Sequence, residues 1–182
     1  VLDHSVHSGM FGGPVLDALT LLSRLIATLH DENGVVAVPG VGARTHADVD
    51  YSEQTYRADA GVLDGVRLAG DGSLADRLWN GPALSIIGID APSVDESSNT
   101  IQSVARAKWS LRVGPGVDPE QAYEAVTTYL SEQSEAVLGA QISFERGHFG
   151  QPFSTDTSDP MAAAMMGSFE QAWGVAPKAT GL

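Results

Sequence analysis

The chain has 182 residues, 43% of them hydrophobic, with 23 acidic against 10 basic side chains, a formal charge of −13, five histidines and no cysteine. Such a length and apolar content build one domain with a proper core, while the negative field excludes a nucleic-acid surface and disfavours anionic membranes. No apolar run approaches the ~20 residues of a bilayer span, and the lack of cysteine removes disulfides and thiolate chemistry and fits a cytoplasmic location.

Residues 3–8 read as a short strand that runs into the glycine-rich turn Gly9-Met10-Phe11-Gly12-Gly13. Residues 15–30 predict a helix: Val15, Leu19, Leu22, Ile26 and Leu29 recur at spacings of four and three, and Leu16, Leu21 and Leu25 widen the stripe. Pro14 suits its first turn and Gly34 follows its end. The apolar face is broad enough for a core on one side and a partner on the other. A β-like run at 35–38 closes on Pro39-Gly40. Residues 43–82 are polar, hold seven acids and four bases (Arg44, Arg57, Arg67, Arg77), and show two modest helical patterns around 51–63 and 73–79. They read as an insertion.

The run ALSIIGI at 83–89 predicts a buried strand. Residues 104–113 alternate, with Arg106, Lys108, Ser110 and Arg112 on one side and Ala105, Ala107, Trp109 and Leu111 on the other. Asp118-Pro119-Glu120-Gln121 is a helix N-terminus in sequence form. A strand is expected at 141–145, and Asp159-Pro160 opens a last helix rich in Ala and Met that Gly174 closes. Without the insertion and the last helix, the order is strand, helix, strand, strand, helix, strand. That order predicts the α+β, ferredoxin-like split βαβ fold: a four-stranded antiparallel sheet with two helices on one face, plus a helical insertion. The cations of 104–113 then lie on the open face. The sequence opens on Val1 rather than Met and closes just after a turn signal, as expected of a piece of a longer protein.

Chemistry is sparse. No HExxH or HxH spacing supports a metal site, no phosphate loop is present, and no GxSxG elbow occurs. Four polar residues stand where a core would not ask for them. His7 precedes the glycine-rich turn, Asn99 ends a polar loop, Arg112 ends the cationic strand, and His148 lies in Gly147-His148-Phe149-Gly150-Gln151-Pro152. Each also reads as an ordinary turn or surface residue. Together they form one suggestive pattern, and the one dense positive stretch of this acidic chain, Arg106, Lys108 and Arg112, suits a small carboxylate or an acidic surface.

Motifs at these positions resemble a known family. His7-Ser8-Gly9 followed by Phe11-Gly12-Gly13-Pro14 and a Leu-rich helix resembles the lid, or dimerisation, domain of the zinc-dependent dipeptidases, aminoacylases and deacylases. That family includes carnosinase and succinyl-diaminopimelate desuccinylase. Asn99-Thr100-Ile101-Gln102 resembles its Asn-x-Ile-Pro turn, with Gln102 replacing the proline. Residues 107–112 with Pro115-Gly116-x-Asp118-Pro119 resemble its strand and helix cap, and Gly147-His148-x-Gly150-x-Pro152 a loop of its dipeptidase branch.

The resemblance implies a lid formed by 1–42 and 83–150, an insertion at 43–82, and a return segment at 151–182 leading to a catalytic domain. It implies that the parent enzyme hydrolyses an amide with two divalent metal ions, expected to be zinc, held outside this stretch, so that the stretch alone is inactive. His7, assisted by Asn99, would stabilise the oxyanion in the partner subunit's site, while Arg112 would grip the substrate's carboxylate and His148 would sit beside it as a second substrate contact. A homodimer through the 15–29 helix and the adjoining sheet edge is implied as well. Two rival readings remain: a free-standing ferredoxin-like module that binds a small carboxylate, and a purely structural oligomerisation domain.

Overall fold

The computed structural model describes residues 1–178 apart from Arg44 and Asp48. Arg44, one of the four bases of the expected insertion, and the final four residues of the expected return segment lie outside the described residues. Chain order runs β1 (Val6–His7), α1 (Ser8–Phe11), α2 (Ala18–Ala27), α3 (Glu53–Ala60), α4 (Leu74–Trp79), β2 (Ala83–Asp90), β3 (Thr100–Ile101), β4 (Arg106–Arg112), α5 (Pro119–Glu132) with a 3-10 turn at Gln133–Val137, and α6 (Pro160–Trp173). The fold is α+β with small antiparallel sheets.

The strands form two separate ladders rather than one sheet of four. β1 pairs with β3 through Val6–Ile101 and His7–Thr100. β2 pairs with β4 from Ala83–Arg112 to Asp90–Arg106, with a bulge between Ile86 and Gly88. The expected strand at 141–145 has no regular structure, although Ile142 and Phe144 pack on the core. Alternating side chains bury that segment on one side, yet it gains no ladder hydrogen bonds. The β-like run at 35–38 likewise reduces to one bridge, His30–Val36.

One core lies between α2, α5 and one face of the β2–β4 hairpin. Leu21, Leu25 and Leu29 meet Ala122, Val126 and Leu130, with Val38, Val41, Leu84, Val117 and Val137 closing the cluster. Val126 is fully buried. Burial at about 25 cal/mol per Å2 makes this cluster the main stabilising feature. Trp109 and Leu111 line the hairpin's inner face, while Arg106, Lys108 and Arg112 are exposed on the other, so the alternation of the sequence survives in space. Tyr129 ties the two helices by donating to the Thr28 carbonyl at 2.7 Å.

α2 begins three residues later than its apolar stripe. Asp17, not the region of Pro14, caps it: the carboxylate accepts from the Thr20 N–H at 2.9 Å and its hydroxyl at 2.6 Å. Partial burial pushes the Asp17 carboxyl up, but these bonds together outweigh it and hold the group below the ordinary carboxylate value. Val15 is left exposed in a bridge to Gly12.

α3 and α4 sit within the 43–82 stretch, each opened by a serine cap. Asn80, at the end of α4, is buried and accepts from Thr45 at 2.8 Å. Gly114 fits against it; a β-carbon there would lie 2.2 Å from the Asn80 carbonyl oxygen. α6 carries the Asp159 cap and the left-handed Gly174 that its sequence announced. No described helix is long and apolar enough to cross a membrane.

Candidate functional site

The short β1–β3 ladder brings two of the four candidate residues together. His7 lies opposite Thr100, and the carbonyl of Asn99 accepts from the Ser8 N–H at 2.8 Å and the Ser8 hydroxyl at 3.1 Å. His7 and Asn99 are therefore neighbours across a strand pair although 92 positions apart in sequence, and both are exposed. Gln102 stands where a proline was expected, yet its carbonyl still accepts from the Ala18 N–H at 2.9 Å. Any residue offers that carbonyl, so the turn beyond β3 stays docked on the N-terminus of α2 without the proline.

The His7 ring has a defined polarity. Its Nδ1 accepts from the Gly9 N–H at 3.0 Å. A nitrogen that accepts has no proton of its own, so the neutral ring carries its proton on Nε2, which becomes the donor. Beside it, Leu2, Val6, Met10, Phe11, Pro14 and Val15 line an apolar cavity of about 410 Å3.

Arg112 and His148 belong to another part of the molecule. Arg112 ends β4 opposite Ala83, exposed and without an ion pair among the described residues. Arg106, at the other end of the strand, faces Asp90 and Glu145 at 3.8 Å each. Its charge is thereby partly neutralised, so the cationic strip narrows to Lys108 and Arg112. His148 is exposed in a segment without regular structure. Its neighbours are better held. Phe149 meets the edge of Tyr123 at 5.6 Å, Tyr123 stacks on Trp109 at 6.0 Å, and the Arg146 guanidinium lies 4.6 Å from the Phe149 ring centre and pairs with Glu120.

Sequence reasoning missed this cluster, because its members come from β4, α5 and a loop, and no spacing links them. The signal that existed was the single base Arg146, placed just after a run from 113 to 145 that has none.

Among the described residues, no three His, Asp or Glu side chains group so as to hold a metal ion. His4 pairs with Asp3 and His46 faces Asp76, each with one carboxylate only. The donor set among the described residues does not fit a divalent ion.

A family model described as a peptidase dimerisation domain, M20_dimer, matches residues 1–137. The chain belongs to the M20 peptidase dimerisation-domain family. This dimerisation domain is 35% identical over 178 residues to a cysteinylglycine-S-conjugate dipeptidase of Corynebacterium striatum, covering 95% of this chain and 38% of that protein. It is 25% identical over 191 residues to a β-Ala-His dipeptidase of Mus musculus, covering 96% and 38%.

Two solved structures share its fold. The dipeptidase Dug1p of Saccharomyces cerevisiae superposes with a TM-score of 0.79 at 21% identity, over 99% of this chain and 40% of that one. Human carnosine dipeptidase 1 does so with 0.74 at 22%, over 100% and 41%. The domain thus spans well under half the length of the relatives it matches.

Proposed function

We propose that the domain dimerises and caps the substrate site of a metal-dependent dipeptidase or N-acyl-amino-acid deacylase, lending His7, Asn99, Arg112 and His148 to catalysis across a homodimer. The observation that carries this reading is the His7–Asn99 pair, held by a two-residue ladder with Nδ1 of His7 engaged by the Gly9 N–H, which leaves Nε2 as the donor of the neutral ring. Amide hydrolysis places negative charge on the former carbonyl oxygen at the tetrahedral stage. A fixed N–H donor there stabilises that stage more than the substrate, by about 10²–10³ in rate for one donor. Arg112 supplies a planar fork for a substrate carboxylate, which two parallel N–H groups match better than an ammonium does. His148 adds a second contact.

The metal ions and the general base belong, in this reading, to a catalytic domain that the relatives' extra length accommodates. Residues 1–42 and 83–150 make the lid, 43–82 the insertion, and 151–182 the return to that domain. The single helix-covered face of the β2–β4 hairpin supports a ferredoxin-like relationship, and the half-buried Leu19, Leu22 and Ile26 of α2 offer the dimer a second apolar ridge. The cytoplasm is the expected compartment. A free-standing carboxylate-binding module is less well supported, since Arg106 already has two carboxylates beside it.

The test is complementation in the full-length enzyme. His7→Ala should lower kcat by about 10²–10³, and mixing these subunits with subunits inactivated in the catalytic domain should restore turnover. Unchanged kcat in the variant, or no recovery on mixing, overturns lending across the dimer.

A further inference from the structure

His148 has no hydrogen-bond partner among the described residues, and it lies between two glycines once Phe149 is passed. Neither Gly147 nor Gly150 needs its missing side chain: a β-carbon at either position meets open space, and neither has a positive φ. These glycines therefore leave the backbone loose where a substrate contact has to be placed to within a fraction of an ångström. The restraint comes from the residues on either side of the Gly147-His148 pair.

On one side, Arg146 lies over the Phe149 ring at 4.6 Å and the Tyr123 ring at 6.0 Å, and its guanidinium also pairs with Glu120 in the first turn of α5. On the other, Phe149 meets Tyr123 edge-on at 5.6 Å. Tyr123 stacks on Trp109, three residues before Arg112 on β4. One stack therefore runs from the strand that bears Arg112, through α5, to both ends of the pair that contains His148.

We propose that Arg146 is a positioning residue for His148, pinning the 146–149 loop to α5 through the Phe149 and Tyr123 rings and Glu120. This rests on the reading of His148 as a substrate contact. The exposed ion pair with Glu120 contributes little alone. The guanidinium over the Phe149 ring at 4.6 Å contributes more, and the compact, strongly hydrated ammonium of a lysine replaces it poorly.

The test uses the full-length enzyme and a dipeptide with a free C-terminal carboxylate. Arg146→Ala should raise KM about two- to fivefold, the range a cation–π contact at an exposed site allows, with kcat nearly unchanged. Arg146→Lys should fall nearer to Ala than to the parent. In the His148→Ala background, Arg146→Ala should add nothing further to KM. Chymotryptic cleavage after Phe149, located by mass spectrometry, should quicken in Arg146→Ala and stay slow in His148→Ala.

A raised KM in His148→Ala with a parental KM in Arg146→Ala overturns the positioning role and leaves the His148 contact standing. A parental KM in His148→Ala overturns that contact, and the positioning role with it. Unchanged cleavage after Phe149 in Arg146→Ala overturns the pinning itself.

Discussion

α2 and α6 start from the same local chemistry and meet different fates. Each is opened by an aspartate whose carboxylate accepts a backbone N–H, Asp17 from Thr20 and Asp159 from Met161, and each repeats apolar residues at helical spacing. α2 buries Ala18, Leu21 and Leu25. α6 buries none: Met161, Met165, Phe169 and Trp173, four residues apart, are 80%, 55%, 37% and 70% exposed. The difference is cover. α5 and the β2–β4 hairpin lie against α2, whereas the described residues place nothing over the α6 stripe. Periodicity thus reports that a helix has an apolar face and says nothing about where its partner is. The family match, which ends at residue 137, divides the chain between these same two helices.

Five variants test that contrast. The largest effect should come from Leu29→Ala: Leu29 is 2% exposed beneath the helices, and truncating it should cost about 2–5 kcal/mol in denaturant unfolding. Gly114→Ala should follow at about 1–3 kcal/mol, because the new methyl meets the backbone carbonyl of Asn80 rather than a side chain able to turn away.

Next come the two caps. Asp17→Ala should cost about 1 kcal/mol of global stability, while Asp159→Ala should lower helix content by circular dichroism and leave the main unfolding transition in place. The Asp17 contribution also depends on pH. Its folded carboxyl titrates below the unfolded value of about 3.9, so the stabilisation is complete above that value and disappears as pH falls through the lower folded one. Stability curves of the parent and Asp17→Ala should therefore converge in acid; curves that stay parallel would show that the carboxylate is not the stabilising form. Smallest of all, Met165→Gln with Trp173→Gln should shift stability by less than about 0.5 kcal/mol. A larger loss would mean that α6 packs on this domain after all.

Much of the framework was legible in the sequence for local reasons. Capping residues, glycine stops and the two- and four-residue apolar periods depend on near neighbours, which is why α4, α5, α6 and the β2–β4 hairpin fall within a residue or two of expectation. The errors share a cause as well. Residues 35–38 and 141–145 have strand-like composition, but a strand exists only where another backbone lies in register, and their amides find at most one bridge. The 15–30 stripe ran past the true helix because Val15 is apolar without being buried.

The candidate site divides in the same way. Residue type and motif singled out His7, Asn99, Arg112 and His148, since exposed polar residues beside turns are visible in one dimension. Their relations were not. That Asn99 reaches Ser8 across 91 positions and that Trp109, Tyr123, Phe149 and Arg146 form one cluster follow only from the packing of distant segments.

The amino-acid order alone determined the charge, the caps, the helical faces and the residue types available for chemistry, because those depend on covalent structure and on neighbours within about a turn. Tertiary structure alone decided which apolar face is covered, which extended segments become strands, and which candidate side chains stand together. Burial, ladder hydrogen bonds and contacts between candidate side chains each need a second piece of chain at contact distance, and no spacing along the sequence specifies which piece that will be.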